Sequence, residues 1–292
     1  MENNATSSAS QPLPNRLLHR YPTAVFFGLT LLLSWGWWAV AYIFIADGEL
    51  TDALALPGAF GPPVAAALLT WVLNDDLRAW AAQIVDWRVS VHWYVVAIML
   101  PLVITIGGVG SALLLTGAPL DLFLLAQRLP VFPFLLLFTL LLGGGQEEPG
   151  WRGFALPRLQ ASFSGFVASL IVGLVWAVWH LPLFLMGATR NQTGSFLLYT
   201  LLILGVSVIV SWCYNETDGS VLLAMLLHAV VNTSGSLLPI QQDTAAQWAL
   251  VIDVGSIIAV WMGVVAVLRW GSAATLSRNG IPDPSAAGIE TD

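Results

Sequence analysis

The chain has 292 residues, 57 % of them hydrophobic and only 9 % charged, where an ordinary soluble domain is about 25 % charged. It is therefore read as a membrane protein, with the bilayer as its apolar solvent. The formal charge is −7 and every basic residue is Arg, so a basic patch is absent and nucleic acid is excluded as a partner. The single cysteine, Cys213, rules out an internal disulfide framework or a cysteine metal cluster. It reads as a small buried apolar side chain.

In chain order, residues 1–20 are polar and rich in Ser, Asn and Pro, and are expected to form a disordered N-terminal tail. Arg16 and Arg20 precede an apolar run containing "AVA" at 39–41, a pattern shared with signal peptides. The run continues through "YIFIA", which suits an uncleaved first span better. Crossing a bilayer takes about 20 apolar residues. Such stretches lie near 22–46, 54–73, 92–116, 131–148, 163–187, 195–214, 219–240 and 246–270. The expectation is an all-α, polytopic membrane protein of about eight transmembrane helices in one domain, 21–270, enclosing a polar intramembrane site. A second disordered tail is expected over 271–292.

Arginine placement gives the orientation, because Lys and Arg in short loops stay cytoplasmic. Arg16, Arg20, Arg78, Arg88, Arg152, Arg158, Arg269 and Arg278 lie at one set of alternate span ends; Arg128 and Arg190 lie at the other. Both termini are expected in the cytoplasm, with the chain in the cell membrane. Between the second and third spans, "NDDLRAWAAQIVDWRVSVHW" mixes Trp80, Trp87 and Trp93 with Asp and Arg. That suits an amphipathic helix lying in the interface.

Few ionisable residues remain inside the spans: Glu147, Glu148, His180, His228 and Asp253. A charge at the bilayer centre costs about 2.5–3.5 kcal/mol even on the lenient insertion scale, so such residues face a cavity or one another. Glu148 and Arg152 are four apart and meet on one helix face, which leaves Glu147 about 100° away. Two carboxylates beside one cation leave a Glu available as a base. "HAVVN" places His228 and Asn232 on one face, and "WAVWHLP" places Trp176 one turn before His180. Three helices thus each present a compact polar group. Together they supply what amide hydrolysis needs: a base for water, donors for the oxyanion and a proton for the leaving amine. Asp253 has no basic partner at helical spacing and reads as structural; Arg158 reads as a positive-inside residue.

These residues resemble the CPBP family of intramembrane proteases, which includes type II CAAX prenyl endopeptidases and bacterial Abi proteins. That family carries Glu-Glu-x-x-x-Arg, Phe-x-x-x-His and His-x-x-x-Asn/Asp motifs on successive helices. Here they read Glu147-Glu148-PGW-Arg152, Trp176-AVW-His180 and His228-AVV-Asn232, within a motif core of 131–240. Trp176 stands where Phe is usual, a change expected to alter packing more than chemistry, and Pro149 is expected to bend the helix at the glutamate pair. The resemblance implies that Glu147 with His180 activates water and that His228 and Asn232 stabilise the oxyanion. Glu148 and Arg152 would hold that arrangement. It also leaves open a divalent metal such as Zn, with Glu147, Glu148, His180 and His228 as candidate ligands; otherwise no cofactor is implied. No "HExxH" or "GxGD" occurs. Ser234 and Ser236 share a helix with His228, so rhomboid-type serine chemistry is disfavoured.

The expected function is an intramembrane endopeptidase acting on a membrane-associated peptide or membrane protein, whether prenylated or a small signalling or bacteriocin peptide, with membrane lipid as the other partner. Two alternatives are a non-catalytic scaffold or immunity protein, and a His-ligated cofactor or proton-handling protein in which His180 and His228 hold a haem or Glu147 and Glu148 relay protons.

Overall fold

A computed structural model describes residues 18–45, 51–117, 120–186, 195–237 and 248–289. All regular structure among them is helical, and the long apolar helices make this a polytopic membrane protein. The main elements are α1 (Pro22–Phe44), α2 (Gly61–Val72), α3 (Leu77–Ala82), α4 (Val91–Thr116), α5 (Leu122–Arg128), α6 (Phe132–Leu142), α7 (Gly165–Trp179), α8 (Phe196–Glu216), α9 (Val221–Ser234) and α10 (Ala249–Trp270).

Among the described residues every apolar stretch expected to span the membrane is mainly helical, but the count of eight is not reproduced. Among the described residues six helices are long and apolar enough to cross, or seven if the bent pair Leu122–Arg128 and Phe132–Gln160, which turns by 57°, counts as one span. In the expected seventh span, 219–240, the described apolar helix runs over Val221–Leu237, and 238–240 lie outside the described residues. It lies in the interior rather than against lipid: Leu223, Ala224, Leu227, Ala229 and Val230 are all buried. A helix surrounded by other helices has no bilayer thickness to match.

Without a hydrophobic drive between helices in lipid, close packing of small residues brings them together. α4 and α10 do this reciprocally. A Cβ on Gly108 would lie 2.1 Å from Ser256 Oγ, and one on Gly255 would lie 2.1 Å from Ser111 Oγ and 3.0 Å from the Gly108 carbonyl oxygen. Gly173 of α7 likewise meets Ser207 of α8, where a Cβ would sit 2.8 Å from the serine Cβ.

The segment between the second and third spans is more interrupted than a single interfacial helix. Asp76 caps α3, accepting from the backbone N–H of Arg78 at 2.8 Å and of Ala79 at 3.1 Å, the side-chain substitution for orphan helix donors. A 3-10 turn, Gln83–Val85, follows. Only Trp87 is left exposed in the expected manner, since Trp80 turns inward and is buried, and Trp93 packs edge-on against Trp212.

The expected tails also need correction. Residues 1–17 and 290–292 lie outside the described residues, but 18–20 are helical and 271–289 are folded against the bundle. Gly165 and Phe166, whose N–H groups open α7, donate to the carbonyls of Ala274 and Ala273. Asn215 donates to the Thr275 carbonyl, Arg278 N–H donates to Glu216, and Asp76 N–H donates to the Gly288 carbonyl. The composition reads as a tail, yet its backbone satisfies helix ends that would otherwise lack partners.

The α4–α10 contact gives a direct test. Gly108→Leu or Gly255→Leu should separate the two helices and lower stability by about 1–3 kcal/mol, measured by thermal unfolding in detergent. Gly110→Leu should be near neutral, because a Cβ there meets nothing within 4 Å.

Candidate active site

α6 ends at Gly143, and Gly144 then takes φ +139°, a backbone state that L side chains rarely adopt. A Cβ on Gly144 would sit 2.3 Å from Asn232 Nδ2 and 2.8 Å from His228 Nε2. The turn therefore requires glycine twice over, for its angle and for the closeness of α9.

Beyond it, residues 145–160 remain helical but change gauge repeatedly: a 3-10 turn Gly145–Glu147, an α turn Glu148–Gly150, a π turn Trp151–Ala155 and an α turn Leu156–Gln160. Pro149 and Pro157 each lack an N–H, so regular i→i−4 bonding is interrupted at both. A π turn inside a helix re-aims side chains and recurs at functional sites. The bend expected from Pro149 is thus a change of helix type spread over several residues. The segment is clamped by α3 and the 3-10 turn after it, where Trp80 Nε1 donates to the Pro149 carbonyl at 3.2 Å and Gln83 Nε2 to the Gly153 carbonyl at 3.3 Å. Neither clamp was anticipated from the residue pattern, which placed Trp80 at the headgroup level.

The expected pairing of Glu148 with Arg152 survives the irregular helix. Arg152 Nη1 donates to Glu148 Oε1 at 3.0 Å and Oε2 at 2.8 Å, with both side chains fully buried. Arg152 Nη2 donates to the carbonyl and hydroxyl of Ser207 at 3.1 and 3.0 Å, and Ser207 Oγ donates to the Ser169 carbonyl at 2.7 Å. The guanidinium therefore ties the motif segment to α8, and through Ser207 to α7.

His228 joins the same carboxylate, with Nδ1 2.7 Å from Glu148 Oε1. Its Nε2 lies 3.2 Å from Asn232 Nδ2, which also donates to the Gly143 carbonyl at 2.9 Å. The consistent assignment has Nδ1–H donating to Glu148 and Nε2 accepting from Asn232. Asn232 itself is exposed.

Glu147 is held apart from this network. Its Oε2 accepts from Trp176 Nε1 at 2.8 Å and from Trp151 Nε1 at 3.2 Å. His180 caps α7 and places Nδ1 2.9 Å from the Trp176 carbonyl, while the rings of Trp179 and Tyr199 pack edge-on against it at 4.6 and 5.4 Å. The Trp176 ring contacts His228 at 4.8 Å and His180 at 6.1 Å. The three polar clusters thus converge around one indole. Trp176 is not an inert replacement for Phe, because its N–H makes a hydrogen bond that Phe lacks; the only signal in the sequence was the departure from the motif.

The residues set aside earlier stay outside this cluster. Asp253 lies in α10, Arg158 pairs with Asp75, and Ser234 Oγ bonds Thr105 Oγ1 at 2.6 Å. Cys213 is buried in α8. The zinc alternative does not fit: among the described residues no three His, Cys, Asp or Glu side chains form a ligand group, and both Glu148 oxygens already face Arg152. Haem ligation fits no better, since both His228 ring nitrogens are in hydrogen bonds.

Removing one partner of a buried ion pair strands the other charge. Arg152→Met should cost about 3–5 kcal/mol, measured by thermal unfolding, and adding Glu148→Gln should recover part of that loss because the stranded charge is then removed.

Comparison with known proteins now bears on this geometry. Residues 129–234 match the family described as type II CAAX prenyl endopeptidase, Rce1-like. A relative named CAAX prenyl protease 2, from Methanococcus maripaludis, is 34 % identical over 135 residues, covering 44 % of this chain and 48 % of the relative. The chain spans about half the length of that curated relative. The family match runs from the turn before α6 into the end of α9 and contains Glu147, Glu148, Arg152, His180, His228 and Asn232. Residues 129–234, which carry all three polar clusters, are thus similar to the Rce1-like family of type II CAAX prenyl endopeptidases.

Proposed function

We propose that the protein is an intramembrane endopeptidase that hydrolyses a peptide bond of a membrane-associated substrate with a water activated by Glu147. The observation that carries this reading is the unequal treatment of two adjacent buried carboxylates. Glu148 has both oxygens committed, to Arg152 and His228, whereas Glu147 has one oxygen bonded only to neutral indole N–H groups. The first is neutralised and structural; the second makes no ion pair and suits proton transfer.

In the proposed reaction, water gives a proton to Glu147 as its oxygen bonds to the scissile carbonyl carbon, with His180 orienting that water. The carbonyl π electrons move to oxygen, and the Asn232 amide, exchanging its bond to His228, donates to that oxyanion; His228 joins it through an Nε2–H in its doubly protonated form, with Nδ1–H still on Glu148. Collapse of the intermediate breaks the C–N bond, and the proton on Glu147 passes to the leaving nitrogen. Glu148 and Arg152 keep His228 and the segment in place. No step requires a metal.

The curated relative's name makes a prenylated CAAX peptide the first substrate class to test; a small unprenylated signalling or bacteriocin peptide is the second. The arginine distribution supports placing the protein in the cell membrane with both termini cytoplasmic, so that cleavage takes place toward the cytoplasmic half.

Detergent-purified protein should cleave a quenched fluorescent peptide carrying a prenylated C-terminal cysteine. Glu147→Gln should lower kcat by about 10²–10⁴-fold at unchanged expression. Cleavage should withstand a chelator; loss of activity on chelation would move the chemistry to a metal. Asn232→Ala should lower kcat by about 10²–10³-fold, the effect of deleting one oxyanion donor, with little change in KM.

A further inference from the structure

We infer that Trp176 is a positioning residue that, together with Trp151, ties down one edge of Glu147 and leaves Oε1 as the proton-accepting atom. This rests on the reading of Glu147 as the base. Both indole N–H groups converge on Oε2, at 2.8 Å from Trp176 and 3.2 Å from Trp151. Oε1 accepts no hydrogen bond from the described residues, yet it is not among the sealed polar atoms that lack a partner. One oxygen is saturated by two fixed donors, and the other has no donor among the described residues.

Two features make this a device rather than ordinary packing. The donors come from different elements, Trp151 from the π turn and Trp176 from α7, so the carboxylate cannot turn without breaking a bond to one of them. Trp151 is four residues after Glu147 and follows it whatever the bundle does, whereas Trp176 registers the carboxylate against α7. Trp176 also holds the other half of the water-activating pair: its carbonyl oxygen lies 2.9 Å from His180 Nδ1, which leaves His180 Nε2 free among the described residues. Through its side chain and its main chain, one residue directs the open edges of both Glu147 and His180. The ring itself is supported by the Arg152 guanidinium, 5.4 Å from its centroid.

Trp176→Phe removes the N–H while keeping an aromatic ring and the main-chain carbonyl that holds His180. A hydrogen bond to a charged group accounts for about a 10- to 100-fold change, so kcat should fall by about that factor, with KM within about two-fold and the variant still folded at the assay temperature, its melting temperature lowered by the lost ring volume. Trp151→Phe should act in the same direction, and the double variant should lose more than the two single losses combined, because Oε2 then has no donor. Independently of catalysis, Glu147→Ala should move the Trp176 and Trp151 indole N–H resonances in ¹⁵N-labelled protein and leave the other indoles in place. Wild-type kcat in Trp176→Phe, or indole resonances unmoved by Glu147→Ala, would overturn the inference alone. Equal cleavage by wild type and Glu147→Gln is a separate failure, of the general-base reading, and overturns the inference with it.

Discussion

The interaction on which the rest depends is the burial of Arg152 against Glu148. Moving both charges out of water costs several kcal/mol per ion after relaxation, and the molecule offsets this by bonding the guanidinium at both ends. One end meets both Glu148 oxygens and the other meets the Ser207 carbonyl and hydroxyl. Because Ser207 in turn bonds Ser169, one cation links the motif segment, α8 and α7. Glu148 extends the network to His228 on α9. Buried charge is weak evidence for stability, but here it sets the mutual position of four elements.

Helix geometry follows from that constraint. A uniform α-helix over residues 145–160 would be interrupted at Pro149 and Pro157 in any case, and the segment changes from 3-10 through α to π instead of unravelling. The π turn occurs at Trp151–Ala155, where Arg152 must reach Ser207 while Trp151 reaches back to Glu147. Trp80 Nε1 and Gln83 Nε2 donate to the buried Pro149 and Gly153 carbonyls of this irregular backbone. In a membrane a freed carbonyl has no water to turn to, so irregular helix persists only where protein groups surround it. The interfacial segment around α3 and the folded-back residues 271–289 therefore belong to the same structural unit as the site they brace.

Two adjacent carboxylates acquire different characters from this arrangement. Glu148 faces a cation and an imidazole; Glu147, one residue earlier, faces two indoles. Adjacent helical residues point about 100° apart, so a single chain step carries the side chain from an ionic environment to a neutral, hydrogen-bonding one. Burial then makes the difference matter, because the same arrangement of charges is worth far more in a low-dielectric interior than in water.

What the sequence determined by itself is what depends on local period and composition. The apolar runs, the pairing of Glu148 with Arg152, the shared face of His228 and Asn232, and the turn between Trp176 and His180 all follow from intervals of four residues on a helix. Depth and rotation do not follow from such intervals. The placement of Val221–Ser234 in the interior, the approach of His228 to Glu148, the anchoring of Arg152 on Ser207 and the convergence of Trp151 and Trp176 on one oxygen of Glu147 arise from how helices pack across distances of 29 to 80 residues, apart from the local Trp151 bond. The residues 271–289 look like a polar tail by composition, and only the tertiary structure supplies the helix ends that their backbone completes. Period names neighbours within a helix; which helix stands opposite, and at what rotation, is decided by packing small residues and satisfying buried polar groups.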